Sequence, residues 1–352
     1  MAEFQFILRS GVAENAMLLA ERFDLSDEMV DVQLHFHRGA GQLDSYQLCA
    51  TQLRKSFASG LSSGNANIAF FCAGQGVQFS VISAGKDLTS LLQEIDYYRN
   101  LLEIYKSELT KYCLLCYRET VSTFIDKGKT TAIEAKLTFA DVSDRGNKLL
   151  EMFYFHQVFK NYWIGYAERC DHYVQRYGEL SQPRHFEAYI IKFYHGKLQQ
   201  VYLESLIRQG LTHMPLSINT GLNTLDMMKK KKTKNYSKSA EVDGIIASMR
   251  VAASHAESNF RNKLELLEAE QRGLNNFHHD AMIFYKAAIE SARKNKFIHE
   301  QGLACEKAGF YCKSMNDNEK ALAYFNQARE CYEKWGSTVK VEFVQRELDR
   351  SM

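Results

Sequence analysis

Four groups of residues have types and spacings that bear on chemistry. Residues 126–131 read DKGKTT and contain the Gly-Lys-Thr end of a phosphate-binding loop, with Lys129 as its cation. Such a loop cradles phosphate with successive backbone N–H groups, and it needs a further glycine five residues before Gly128, after a strand. That position is Thr123, and 112–125 (YCLLCYRETVSTFI) patterns as a helix, so the segment is expected to be a lysine-rich turn between helices. Cys113 and Cys116 form a CxxC pair. Zinc needs two more ligands, and no second pair follows at suitable spacing. A redox role favours a strand–helix setting that the pattern lacks. At helical spacing these thiols predict small side chains packed between helices, as do Cys305, Cys312 and Cys331. His278, His279 and Asp280 precede a predicted helix. Adjacent histidines point in different directions, and an acid at that place favours the helix N-terminus without any metal. His35 and His37 share a face only if their stretch is extended. No Ser/His/Asp order or paired-carboxylate motif emerges, and the chain is read as non-enzymatic, with no cofactor and no metal.

The sharpest electrostatic feature is KKKKTKNYSK at 229–238, with Lys229, Lys230, Lys231, Lys232, Lys234 and Lys238. It reads as a solvated loop, with nucleic acid or an acidic membrane as the alternative partner for its cations. Tyr236 alone does not supply the interleaved aromatics of a single-strand platform. The chain as a whole carries a net charge of only +2, so any polyanion site must be local.

The elements that must hold these residues are helices. Two prolines in 352 residues is far below the usual ~5%, and an interior proline is what most often breaks a helix. Residues 86–110 place Leu88, Leu91, Leu92, Ile95, Tyr98, Leu102 and Tyr105 at three- and four-residue steps. Residues 187–208 repeat the style with Tyr194, Leu198, Val201 and Tyr202. Gly60, Gly64, Gly85, Gly128, Gly146, Gly178 and Gly210 lie near the ends of such runs, where glycine terminates helices. Pro183 and Pro215 fall at breaks between them. Eight cysteines are too few for a disulfide scaffold, and residues 1–20 do not pattern as a secretory leader. No stretch approaches the ~20 apolar residues of a membrane span. The expected location is the cytoplasm.

Residues 281–288 (AMIFYKAA) and 321–328 (ALAYFNQA) share one pattern, Ala281, Tyr285, Ala288 and Ala321, Phe325, Ala328, at an offset of 40 residues. Ala269 and Gly309 each stand 12 residues upstream of the first alanine. A small residue followed by Ala-x3-aromatic-x2-Ala is similar to the tetratricopeptide pattern. The small residue lets two helices approach, and the aromatic fills the groove beside the next pair. Because 40 exceeds the usual 34 residues, an extended connection is expected at 294–301 (KNKFIHEQ). The expected fold is all-α, an array of TPR-like antiparallel helical hairpins wound into a right-handed superhelix, or α-solenoid. Its divisions are a degenerate array over 1–210, a lysine-rich loop over 211–243, and C-terminal repeats at about 262–295 and 302–335 within 244–352.

The runs NFRNKLELLEAE (259–270), AMIFYKAAIESARKNKFIHEQGLACEKAGFY (281–311) and KALAYFNQARECYEKWGSTVKVE (320–342) carry a family resemblance. Their markers are Asn262-Lys263, Ala288, Ala292-Arg293, Phe297-Ile298-His299-Glu300, Ala304, Glu306, Tyr332 and Trp335-Gly336. With these, 255–342 resembles the TPR-like helical region of a family of multidomain signalling proteins of cyanobacteria and microalgae. Those proteins join an origin-recognition-like AAA ATPase, a serine/threonine kinase and a histidine kinase. The resemblance is weaker over 63–110 and 150–200, and the ATPase and kinase portions have no counterpart here. It implies a protein-interaction scaffold or regulatory module in signal transduction, whose partners include an ATPase or kinase domain. A second reading makes the chain a fragment or subunit of such an ATP-dependent kinase.

Overall fold

A computed structural model of the chain describes residues 15–19, 22–23, 26–40, 44–105, 107–126, 144–180, 186–208 and 222–350, with the backbone alone over 26–28, 38–40, 108, 144–148, 206–208 and 222–238. Among these residues there are helices and no strands. In chain order they are α1 (Ser26–Ala40), α2 (Tyr46–Ser62), α3 (Ala66–Ser83), α4 (Leu88–Tyr105), α5 (Glu108–Ile125), α6 (Asp144–Trp163) and α7 (Ala167–Leu180). They continue as α8 (Phe186–Arg208), α9 (Leu222–His255), α10 (Glu257–Leu274), α11 (His278–Lys294), α12 (Ile298–Ser314), α13 (Asn318–Trp335) and α14 (Thr338–Asp349). Most pack against their sequence neighbours, and α3, α8 and α10 also pack against α5, α10 and α12 respectively.

Two kinds of helix alternate. In α11 the buried residues are Ala281, Tyr285, Ala288 and Ala292, one stripe at three- and four-residue steps. In α4 they are Leu88, Leu91, Ile95, Tyr98 and Leu102, and in α13 a similar stripe ends at Trp335. By contrast α3, α10 and α12 are buried over most of their circumference. The one-stripe helices form an outer layer, and the others lie between that layer and the rest of the core.

The turns explain the 40-residue offset. α10 is joined to α11, α11 to α12 and α12 to α13 by three residues each, and the connection expected to be extended at 294–301 is the tight turn 295–297. Asn276, Lys296, Asn316 and Gly336 all have φ between 60° and 86°, and they recur every 20 residues. After each, a backbone N–H reaches back five residues: Phe277 to Arg272 O, Phe297 to Ala292 O, Asp317 to Cys312 O and Ser337 to Tyr332 O, at 2.9–3.0 Å. This is the Schellman closure, which satisfies carbonyls at a helix end. Helices of 17 or 18 residues plus three-residue turns give the period. The extra length over a 34-residue repeat lies in the helices.

A second expectation is also corrected. The lysine run, read as a loop over 211–243, is helical from residue 222 onward as part of α9. Residues 222–243 contain neither proline nor glycine and are rich in Lys, Leu and Met, which are strong helix formers. Residues 211–221, Pro183 and Pro215 lie outside the described residues. Gly60 lies in the last turn of α2, where a Cβ would meet Ala69 Cβ at 2.9 Å.

Helices far apart in the sequence meet. Asn259 at the start of α10 accepts from Tyr46 N at 3.1 Å and donates to Asp44 O at 2.6 Å. Ser337 Oγ donates to Phe124 O at 3.0 Å, Thr338 Oγ1 donates to Ile125 O, and α14 packs on α5. Ser337 Oγ also accepts from Lys340 N, so one hydroxyl caps α14 and joins it to α5. Aromatic rings fill the space between. Tyr46 meets Phe79, Phe186, Phe260 and Phe297, while Trp335 meets Phe124 and Trp163. Residues on both sides of 211–243 thus share one hydrophobic core.

The close approach of α12 and α13 yields a test. A Cβ on Gly309 would stand 2.8 Å from the ring of Phe325, which is fully buried and has nowhere to withdraw. Gly309→Ala is expected to destabilise the protein by about 1–3 kcal/mol through overpacking, overriding the ~1 kcal/mol helix-propensity gain. Gly244→Ala, in open space on α9, is expected to stabilise slightly. Urea unfolding of both variants measures the contrast.

Candidate functional site

The residues first considered for chemistry are dispersed. Cys113 and Cys116 sit one turn apart on α5, half-buried and buried. Burial holds the Cys116 thiol far above its usual pKa and pushes that of Cys331 up to about 11, so neither is poised as a thiolate. His278 Nδ1 lies 2.7 Å from Tyr311 OH, while His279 and Asp280 are exposed. His35 and His37 fall on helix α1, where His35 approaches Asp31 and the two do not share a face. Lys129 and 127–131 lie outside the described residues. Among the described residues no three His, Cys, Asp or Glu side chains gather as metal ligands.

The structure brings the repeat residues together. Ala269, Ala281, Ala288, Ala321, Phe325 and Ala328 are wholly buried, and Tyr285 and Gly309 are buried with them. Phe325 crosses to Gly309 and Phe310, and Tyr285 meets Tyr311 at 5.4 Å. Two further glycines do the same work: Gly302 lies under Tyr332, and Gly273 under Tyr311.

Sequence reading missed a set of buried lysines. Lys160 on α6 pairs with Glu119 on α5 at 2.7 Å, and Lys197 on α8 pairs with Glu270 on α10. Lys263 on α10 pairs with Glu300 on α12 at 2.8 Å, and Lys340 on α14 pairs with Glu306 on α12 at 2.6 Å. Burial depresses the pKa of Lys263 and Lys340 and brings Lys197 down to about 8. The carboxylates oppose that shift by favouring the charged ammonium. Secondary partners support two of the four pairs. Glu300 also accepts from Asn262, Lys263 donates to Asn259 O at 2.8 Å, and Glu306 accepts from Tyr332 OH at 2.8 Å. Lys263 Nζ lies 4.4 Å from the centre of the Phe297 ring, in cation–π range. The signal was available: Lys263 follows Phe260 and precedes Leu267 at helical steps, which places a charge in a core register.

His299 and His156 are buried close to these lysines. His299 is flanked by Trp163 and Trp335, each ring centre 5.2 Å away. Burial, reinforced by the Lys263 charge, holds its imidazole neutral well below the usual pKa. The His156 ring is tilted against Tyr117 with centres 4.7 Å apart, and burial with Lys160 nearby lowers its pKa to about 3.

The outer face of α4 differs from every site above. Tyr97, Ile104 and Tyr105 are 55%, 72% and 46% exposed, and half-buried Leu101 stands between them. Tyr97 and Ile104 lie roughly opposite the buried Leu91–Leu102 stripe, and Leu101 and Tyr105 run along its flank. The Tyr105 ring continues inward to Phe70 at 5.3 Å, next to half-exposed Phe71. No helix among the described residues is long and apolar enough to cross a membrane. Compared with protein-family models and with curated proteins, the chain matches none.

Removing one partner of a buried pair strands a charge, whereas replacing both with apolar groups does not. Lys263→Met is expected to cost about 3–5 kcal/mol, and Lys263→Met with Glu300→Leu to recover most of that loss. A double-mutant cycle by denaturant unfolding reads the difference. For His156 the neutral folded form sets the sign. Its contribution is complete above the unfolded pKa of ~6.5 and is lost as pH falls toward about 3, because only the unfolded chain takes up the proton. His156→Gln should therefore flatten the stability loss between pH 6.5 and 4 by about 1 kcal/mol per pH unit, read from urea midpoints.

Proposed function

We propose that the chain is a non-enzymatic protein-interaction scaffold built of TPR-like hairpins in a right-handed superhelical array, serving as a regulatory module in signal transduction in the cytoplasm. The observation that carries this reading is the exposed apolar stripe Tyr97, Leu101, Ile104 and Tyr105, held on a helix whose opposite stripe is locked into the core. Such a stripe is suited to the apolar face of a partner helix, with aromatic anchors of the kind that dominate interface energetics. The helical-hairpin repeat and the resemblance over 255–342 support the same assignment and suggest an ATPase or kinase domain as partner. The array would act by holding that partner in one geometry. Its binding surface lies on the outer layer, because aromatic side chains fill the space between the amino-side and carboxyl-side helices.

Tyr97→Lys with Ile104→Lys tests this reading. The double variant is expected to unfold at the wild-type denaturant concentration, since both side chains are exposed, and to lose the protein that wild type retains in an affinity capture. Retention of that protein by the variant would remove the stripe from the interface. Saturable ATP binding by the purified chain, abolished by Lys129→Ala, would instead favour the ATP-dependent kinase reading.

A further inference from the structure

The charges along α4 narrow the choice of what covers its outer stripe. At 100° per residue, Gln93, Tyr97, Asn100 and Ile104 fall within about 60° of one another, with Leu101 on their flank. Gln93, Tyr97, Asn100 and Ile104 are all exposed, and none is charged. The four charged residues of α4 are Glu94, Asp96, Arg99 and Glu103. Each is neutralised within the chain: Glu94 pairs with Arg54 and Lys86, Asp96 with Arg99 and Arg118, and Glu103 with Lys111.

A surface of this kind selects against most partners. Anionic lipid and nucleic acid are drawn by unpaired cations, and α4 offers none. A strongly charged helix finds nothing along the stripe to orient it. What fits is a helix that is itself uncharged, apolar and amide-bearing along one face, and α4 is such a helix. In a two-fold pair every residue must accept its own image or a fixed counterpart. With two α4 helices antiparallel about an axis between Asn100 and Leu101, Tyr97 of each copy faces Ile104 of the other. Leu101 then meets Leu101, and Asn100 meets Asn100. The Asn100 amide carries both donors and an acceptor, so it can hydrogen-bond its own image. A charge at that place would instead meet a like charge.

We propose that the helix received by the α4 stripe is α4 of a second copy of this chain, packed antiparallel across a two-fold axis between Asn100 and Leu101. This names the partner of the interface assigned above and rests on that assignment. Any other partner of the stripe must then displace the second copy. A contact of one helix from each copy falls below the ~1,200 Å² of a standard interface, so the dimer is expected to dissociate at about 1–100 µM.

Sedimentation velocity of the full chain from about 1 to 300 µM reads the association. The wild type is expected to rise from the monomer mass toward twice that mass. Tyr97→Lys with Ile104→Lys should stay at the monomer mass throughout, with urea unfolding unchanged. Asn100→Asp and Asn100→Lys test the axis, because each sets a charge against its own image. Each alone should weaken association about tenfold, and an equal mixture of the two should restore it, since opposite charges then meet. A wild type that stays monomeric overturns the second copy, and so does a dimer that survives Tyr97→Lys with Ile104→Lys. A mixture that associates no better than either variant alone overturns the antiparallel axis. The affinity capture described above separates this result from the assignment of the stripe itself. A monomeric wild type whose captured protein is lost in the double-lysine variant sinks the second copy and leaves the stripe to another chain. A monomeric wild type whose captured protein is retained by that variant removes both.

Discussion

The buried Lys–Glu pairs constrain the rest of the structure. Each joins two helices: α5 to α6, α8 to α10, α10 to α12, and α12 to α14. An apolar contact between helices tolerates a shift along the axis. A buried ammonium does not, because a one-turn slip of about 5.4 Å would leave it without its carboxylate. Hydrophobic burial supplies the driving force, as in any such core, and the pairs select one register for it. The accessory donors narrow the choice further. Glu306 must meet Lys340 from α14 and Tyr332 from α13 together, which fixes three helices around one carboxylate.

The same arithmetic governs the small residues. Where α12 meets α13, Gly309 and Gly302 leave room for Phe325 and Tyr332, and the ring fills what the missing side chain vacates. The turns add a third layer of specification, since residues 276, 296, 316 and 336 adopt the same left-handed conformation at equal spacing. Equal helix lengths, equal turns and paired charges agree with one another, which is the consistency expected of a sequence with a single native arrangement.

Much of this was legible in the chain itself. The helical class followed from proline scarcity and from stripes such as Leu88–Leu102, and Ala281, Tyr285, Ala288 and their counterparts marked the positions where outer helices enter the core. Two features were misread for identifiable reasons. The turn at 295–297 uses Lys296 in a conformation usually given to glycine or asparagine, so the segment carried no recognisable punctuation. The lysine run looked like loop because charge was weighed over the helix propensity of lysine itself. The core register of Lys263 was legible but its partner was not: Lys263 and Glu300 are 37 residues apart, and only the packing of α10 on α12 brings them together. The outer stripe on α4 was visible only in part. Tyr105 looked like the end of a buried face until the structure showed which side of the helix is covered.

The junction between α14 and α5 has a consequence for how the molecule comes into being. Ser337 and Thr338 bond carbonyls 213 residues earlier in the chain. On the ribosome, the carbonyls of Phe124 and Ile125 must remain hydrated, and the Phe124 ring uncovered by Trp335, until residues 335–338 have emerged. At roughly 5–20 residues per second that interval lasts tens of seconds. The amino-side helices thus spend that interval with an apolar surface awaiting a partner from the same growing chain, a period in which a chaperone has something to hold.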